Sequence, residues 1–516
     1  MRHNSLTHDS LTHGSDASEI LARLHELRSF DAPTHGGRVL SYVYDSGLTE
    51  LDRLANEAAE ASRPLNGLDP TTFPSVAAME HDLVSFTRKA LGGGERRIGG
   101  KVVGSVTSGG TESCLLAVKT ARDLWRDEHP ERRAALAREG RGPRLVVTST
   151  AHAAFHKAAQ LFDLDIEVVP CEADGSVRAG AIVSRLDADV ALVVVSAPAY
   201  PTGAIDPVTE VSQAALALGI SCHVDACFGG LALPWWPGTS TWDMRNPGVT
   251  SISADLHKFG YAPKGASVLL HRGRTRHRKQ FFTTTSWAGY PVVNPTLLGS
   301  RSVSSTAAAW AIVHRLGAAG YQQLTASCAS SAHAIEQAVR SIPGVKLWGN
   351  PTGPALAIVA DTALPASEQV DPHHLADEMA RHGFQIQHQP GLMQSNGVRL
   401  PHSAHITVTP VTERVLPELI TALRDSAAAV RGKPQARVGV ALAAIKALGY
   451  HAGHVPSPTA AWNMLRLIGA APKPAGTPGG MGMPQKMAPL MAMVEQLPAP
   501  ITEALLTELL ARVSES

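Results

Sequence analysis

The chain has 516 residues, too many for one ordinary domain. Hydrophobic residues make up 44% and charged residues 18%, as in a globular protein with a large core, and a net charge of +1 argues against nucleic acid or an acidic membrane as partner. The five cysteines lack CxxC spacing and are too few for a disulfide framework, and no apolar run reaches membrane-spanning length, so a soluble cytoplasmic protein is expected.

Residues 1–18 carry the near-repeat Ser-Leu-Thr-His at 5–8 and 10–13 and read as a disordered tail rather than a metal site. Residues 19–64 read as an N-terminal helical segment: Leu21, Leu24 and Leu27 share one face, and a second helix falls around Glu50–Ala61. Pro64, Asn66, Gly67, Pro70 and Pro74 then mark an irregular stretch. Over 65–316, short apolar runs appear at Leu145–Thr148, Ala191–Val195, Ser221–Val224, Ser251–Ser253 and Ser267–Leu270. Helical patterns such as Glu112–Trp125 and Val208–Leu218 separate the earlier ones, which predicts a large α/β domain around a mostly parallel sheet covered on both faces.

A small C-terminal αβ domain is expected over 317–432. It should hold a helix near Gln322–Ser341, strands near Val345–Leu347, Leu356–Val359 and His405–Thr409, and a helix at His373–Arg381. A helical extension follows over 433–516, with a helix near Val438–Leu448, a Pro/Gly/Met segment from Pro472 to Pro489 and a last helix at Ile501–Val513. Met481, Met483, Met487, Met491 and Met493 read as packing filler.

Four segments carry the chemistry. Thr107-Ser108-Gly109-Gly110-Thr111-Glu112-Ser113 follows a β-like run and opens a helix. Its glycines, N–H groups, hydroxyls and dipole end suit a phosphate, although a capped turn uses the same residues. His152 follows the strand ending at Thr148, where α/β sheets bind ligands, and its flat ring suits stacking on a planar cofactor. Asp225 comes directly after a buried strand, where a carboxylate needs a charged partner. A protonated pyridine nitrogen is such a partner; a helix N-cap is the plainer role. Lys258 stands among glycine and aromatics in Ser253–Gly265, where desolvation is expected to lower its pKa and free the amine for imine formation. In chain order these make a phosphate cradle, a ring stacker, a pyridinium acid and a Schiff-base lysine, which together suit pyridoxal 5′-phosphate (PLP).

On TSGGTES (107–113), TAHAAFHKAA (150–159), SAPAYPTGAIDP (196–207), HVDACFGG (223–230) and SISADLHKFGYAPKG (251–265), the chain resembles the sphingosine-1-phosphate lyase branch of the group II PLP-dependent decarboxylases. The resemblance runs from about Val43 to Arg431. It implies the type I, aspartate-aminotransferase-like fold and a homodimer with its active site at the interface. It further implies that Gly110, Thr111 and His257 bind the cofactor phosphate, that His152 stacks on the ring, that Asp225 pairs with the pyridine nitrogen and that Lys258 carries the cofactor. The Gly299-Ser300-Arg301 turn resembles one that enters the site of the opposite subunit, which puts Ser300 among the cofactor ligands. Tyr44 and Lys264 join Lys258 and His152 as catalytic candidates, and Asn66, Asp69, Tyr290, Arg301 and His405 fall on the substrate side. No metal is expected.

The departures from the family pattern lie on that side. Asn66-Gly67-Leu68-Asp69-Pro70 stands where the family usually has Asn-Pro-Leu-His-Pro, and an acid at 69 would repel a phosphorylated substrate unless protonated or paired. Trp287–Thr296 and Gly299–Val303 also differ. The implied activity is aldehyde-releasing carbon–carbon cleavage of a phosphorylated or plain amino alcohol. Amino-acid decarboxylation is the alternative, and PLP binding without turnover the remote one.

Overall fold

The computed structural model describes residues 14–94, 100–436, 453–467 and 486–515, together with 439, 443, 445, 447–451 and 471. Its centre is a seven-stranded sheet. In chain order the strands are β1 (Val102–Thr107), β2 (Arg144–Thr148), β3 (Asp165–Val169), β4 (Val190–Ser196), β5 (Ser221–Asp225), β6 (Ser251–Asp255) and β7 (Ser267–Arg272). Their spatial order is β1-β7-β6-β5-β4-β2-β3, and only β7 runs antiparallel to its neighbours.

Strand alternation explains why β4 is buried throughout and apolar from Val190 to Val195. Leu192 and Val194 pack with Val118 and Ala121 of helix Gly110–Glu128, while Val193 and Val195 pack with Val211 and Ala215 of helix Val208–Ala217. The sheet is therefore covered on both faces, the α/β architecture that the sequence predicts. Strand β5 runs one residue and β6 two residues beyond the predicted runs, ending on Asp225 and Asp255. Both acids thus sit at strand carboxyl ends, where a parallel sheet opens its ligand crevice.

A hairpin of β8 (Phe282–Thr284) and β9 (Val292–Asn294) follows. Helix Ser304–Ser341 then links two cores. It is broken at Gly317, whose φ of 54° and ψ of −173° no other residue adopts readily. Before the break Ala308 and Ile312 join the large core; after it Ala332, Ile335 and Val339 join a smaller one.

That smaller core lies beside β10 (Val345–Leu347), β11 (Ala355–Ala360), β12 (Gln387–Gln389) and β15 (Ser403–Thr407), in the antiparallel order β10-β11-β15-β12. A short hairpin, β13 (Leu392–Met393) with β14 (Arg399–Leu400), separates β12 from β15. The strand expected at His405–Thr409 lies two residues earlier, because its ladder ends at Thr407 and the Val408 amide turns to Pro354.

Beyond the small domain, helices Pro458–Leu467, Ala488–Gln496 and Ala499–Ser514 share a core of their own, including Leu465, Leu490, Met493, Ile501 and Leu505. Most of the expected helix at 438–448 and of the segment at 472–489, with Met481 and Met483, lies outside the described residues. So do residues 1–13 of the N-terminal stretch; helix Ala17–Arg28 begins within its last residues and leaves Leu21, Leu24 and Leu27 exposed. No described helix is long and apolar enough to cross a membrane.

Candidate active site

The segments leaving the carboxyl ends of β1, β2, β4, β5 and β6 meet at one cavity of about 650 Å³. They bring to its wall Gly109, Gly110 and Thr111; His152; Ser196; Asp225 and Cys227; and Asp255, His257 and Lys258. Tyr42 and Tyr44 enter from the N-terminal side, and Gln387 from β12.

Asp225 forms one end. Its Oδ1 accepts the Cys227 amide at 3.0 Å and lies 3.4 Å from Ser253 Oγ. Burial favours its neutral form, but His152, His223 and Lys258 and the Cys227 amide outweigh this and hold the carboxyl below its usual range. The neighbouring His223 is pushed down to about 4 by burial, so it stays neutral and bonds Ser251 and Ser253.

The other end is the N-terminus of helix Gly110–Glu128. Glu112 ties it down: one oxygen accepts the Ser108 amide at 2.6 Å and the other the Leu297 amide at 2.6 Å. A Cβ on Gly110 would lie 2.7 Å from Asp255 Oδ2 and 2.9 Å from Cys227 Sγ, so the backbone passes where no other residue fits. A buried carboxylate facing a glycine-lined helix N-terminus across a cavity matches a flat group with a cationic ring nitrogen at one end and a phosphate at the other. The residues present fit PLP on that ground.

Lys258 stands between these ends. Its Nζ lies 3.0 Å from Asp255 Oδ2. Burial alone would lower its pKa, as the sequence suggests, but Asp255, Tyr44, Cys227 and Asp225 more than reverse it and raise the amine above its ordinary value. The expectation of a depressed Lys258 is therefore corrected: a desolvated lysine beside a buried carboxylate is held as ammonium. The depressed amine is Lys264. Burial and the charge of Lys258 bring it to about 8. Its Nζ donates to the His257 carbonyl at 3.0 Å and sits 4.4 Å from the centre of the Tyr44 ring. Tyr44 is pushed up to about 12, chiefly by burial against Phe259 and Phe228.

Other candidates lie elsewhere in this chain. His405 is fully buried behind the wall, stacked on Tyr200 at 4.2 Å and kept neutral by burial, which lowers it to about 3. Asn66, Ser300 and Arg301 form a separate cluster: Asn66 Nδ2 donates to Ser300 Oγ at 3.1 Å, the Gly67 amide donates to the Arg301 carbonyl at 2.9 Å, and Arg301 pairs with Glu80. Tyr290 is exposed. Asp69 spends its charge locally on the hydroxyls and amides of Thr71 and Thr72, which hold it down to about 2.

The sequence reading missed several residues at the cavity, Asp255, Tyr42, Tyr200 and Gln387 among them. Asp255 carries the same signal as Asp225, an acid ending a buried apolar strand. Tyr42 and Gln387 carry no such signal, since they come from segments distant in the chain, whereas Tyr200 follows β4 within the segment 196–207 and is not singled out there. Tyr200 Oη donates to Gln387 Oε1 at 2.5 Å, and Gln387 Nε2 donates to Tyr42 Oη at 2.7 Å.

Comparison with known proteins identifies the family. The family model for the pyridoxal-dependent decarboxylase conserved domain matches residues 42–354. A second, for a C-terminal helix-turn-helix domain of pyridoxal-dependent enzymes, matches residues 440–512. The chain is 33% identical to sphingosine-1-phosphate lyase of Arabidopsis thaliana over 422 residues, 81% of this chain and 73% of that protein. It is 32% identical to sphingosine-1-phosphate lyase 1 of Rattus norvegicus over 431 residues, 82% and 70% of the two chains. Among solved structures, the sphingosine-1-phosphate lyase of Burkholderia pseudomallei superposes with a TM-score of 0.72 at 32% identity, over 84% of this chain and 94% of that one. Glutamate decarboxylase of Lactobacillus brevis, at 19% identity and a TM-score of 0.70 over 81% and 94%, shares the fold.

Proposed function

The chain belongs to the pyridoxal-dependent decarboxylase family, in its sphingosine-1-phosphate lyase branch, and is a PLP-dependent lyase; from that premise we propose that it cleaves the Cα–Cβ bond of a phosphorylated long-chain amino alcohol and releases an aldehyde. The observation that carries this reading beyond the family name is the Lys264–Tyr44 pair beside Lys258. Cleavage of an amino alcohol needs a base for the β-hydroxyl proton and an acid for the carbon left behind; decarboxylation needs no such base.

Bound PLP supplies an electron sink for the bond broken at the α-carbon. The protein supplies the rest. Gly110, Thr111 and His257 would hold the phosphate, and Ser300 would reach it across a dimer interface. His152, fixed by the Ala154 amide on its Nδ1 at 3.1 Å, presents its ring face. Asp225 would keep the ring nitrogen protonated, and Lys258 would carry the cofactor. Lys264, whose proton leaves near pH 8, accepts the β-hydroxyl proton; the Cα–Cβ bond breaks, its electrons stay with the α-carbon, and the β-carbon leaves as the aldehyde. Tyr44, which keeps its proton to about pH 12, is the donor for that carbon.

Asp69 stays ionised, bonded to the Thr71 and Thr72 hydroxyls and outside its own chain's cavity wall, so the measured products decide between cleavage and decarboxylation. We assign Asn66, Arg301 and Tyr290 to the substrate side across the interface of a cytoplasmic homodimer, and His405 to the support of Tyr200. The chain then divides into a tail (1–18), a helical segment (19–64), the large domain (65–316), the small domain (317–432) and the extension (433–516).

The test is direct. Purified protein is incubated with phosphorylated sphingoid bases, plain sphingoid bases and amino acids, and aldehyde and carbon dioxide are measured. Aldehyde from the phosphorylated base is expected, and Lys258→Ala should lose both activity and the borohydride-trapped cofactor. Carbon dioxide without aldehyde would refute the reading.

A further inference from the structure

The C-terminal extension meets the small domain on a buried cluster of charged groups that the catalytic chemistry does not use. Glu495, on helix Ala488–Gln496, has a side chain with 0% exposure. Its Oε1 lies 3.0 Å from His373 Nε2. Its Oε2 lies 3.0 Å from Arg399 Nη2, 3.0 Å from Gln435 Nε2 and 3.7 Å from His402 Nδ1. His402 Nε2 lies 2.9 Å from Asp371 Oδ2, and Asp371 also caps helix Pro372–Arg381 through the His373 and His374 amides. The rings of His373 and His402 stack 4.7 Å apart. Asp371 and Glu495 bring two negative charges, which Arg399 and a protonated His402 balance.

A second anchor leads toward the active site. Asp377, on helix Pro372–Arg381, accepts the Met487 amide at 2.8 Å and the Ala488 amide at 3.2 Å, and so holds the start of helix Ala488–Gln496. The same carboxylate lies 3.1 Å from His388 Nε2. His388 is the middle residue of β12, and its neighbour Gln387 lines the cofactor cavity and bonds Tyr200 and Tyr42. Adjacent strand residues face opposite sides, so the extension and the cavity sit on the two sides of one three-residue strand. Helix Ala488–Gln496 contacts both helix Pro372–Arg381 and β12.

We propose that the C-terminal extension is a proton-controlled latch: protonated His402, held between Asp371 and Glu495, docks helix Ala488–Gln496 on the small domain, and undocking shifts β12 and the Gln387 edge of the cofactor cavity. Burial opposes charge on His402, but Asp371 and Glu495 overcome it and raise its pKa. Burial would also neutralise Glu495 and Asp371, yet their histidine partners hold each down to about 2. The His402 contribution to docking is full below its free value of about 6.5 and is lost as pH rises through its raised docked value. His373 acts in the opposite sense: burial lowers its pKa despite Glu495, so its contribution fades as pH falls below about 6.5. Docking is strongest near pH 6.5 and weakens toward pH 9 through His402.

Hydrogen exchange of the full-length holoenzyme, corrected for the intrinsic pH dependence, tests this. Peptides from 488–514 should lose at least about tenfold protection between pH 6.5 and pH 9 while β4 and β5 keep theirs. His402→Gln should show the low protection at both pH values. Glu495→Gln, whose change sits on the extension and spares the folding of the small domain, should release it at pH 6.5. Equal protection at both pH values in the unaltered protein, a pH response that survives in His402→Gln, or an extension still docked in Glu495→Gln would overturn the latch. Titration of the cofactor-free protein with PLP, followed by absorbance, tests the coupling. Glu495→Gln should bind several-fold more weakly at pH 6.5, and unchanged affinity with a released extension would overturn that part.

Discussion

Two buried aspartates near the cavity show how neighbours decide charge. Asp225 stays ionised because histidines, Lys258 and an amide face it. For Asp206 burial prevails. Its Oδ2 accepts the Ser196 amide at 2.7 Å, but burial and the charge of Asp225 push its pKa up from 3.8 to about 7. Because the folded value is the higher one, the stability that neutral Asp206 contributes is complete below pH 4 and is lost as pH rises through about 7. A gap of about three units corresponds to a loss of about 4 kcal/mol by pH 8. Asp206→Asn keeps an acceptor for Ser196 and should flatten that slope. Thermal midpoints at pH 5 and pH 8 would show it as a smaller drop than in the unaltered protein; parallel drops would place the pH dependence elsewhere.

At the scale of an element, the long helix Ser304–Ser341 matters most, because it joins the two cores that form the cavity. Its break at Gly317 re-aims the second half onto the small domain. The glycine has no atom within 4 Å of a built Cβ, so the cost of replacing it is backbone strain alone. Gly317→Ala should therefore destabilise by about 1–3 kcal/mol, with a lower urea midpoint. An unchanged midpoint would mean that packing on either side sets the break. The start of helix Gly110–Glu128 is held differently, by Glu112 reaching both Ser108 and Leu297. That contact couples the glycine turn to the segment that follows the β8–β9 hairpin.

At the scale of the molecule, the proposed dimer explains an arrangement that one chain leaves incomplete. Asn66, Ser300 and Arg301 cluster together but do not line their own chain's cavity, and the hairpin before them exposes Phe282, Trp287, Tyr290 and Val293. Sedimentation should give twice the 54.4 kDa chain mass. Subunit exchange between inactive Lys258→Ala and Arg301→Ala proteins should restore about a quarter of the native activity, because half of the dimers would then hold one intact site. No recovery, with exchange verified, would return Arg301 to a role within its own chain.

The sequence alone determined the centre of the sheet and most of the candidate residues at its carboxyl edge, though not edge strand β3 or Asp255. Alternating apolar strands and helices admit few arrangements, and the loops after such strands must converge, so Gly110, His152, Asp225 and Lys258 could be picked out by position. It did not reach what depends on neighbours distant in the chain. The raised pKa of Lys258 and the lowered one of Lys264 follow from a balance of burial against Asp255, Tyr44 and each other. The withdrawal of His405 behind Tyr200, the local pairing of Asp69 and the arrival of Gln387 from the small domain likewise required the packed structure. Local pattern encodes which face of an element is buried; the electrostatics of a site depend on distances between charges, and those exist only once the chain has folded.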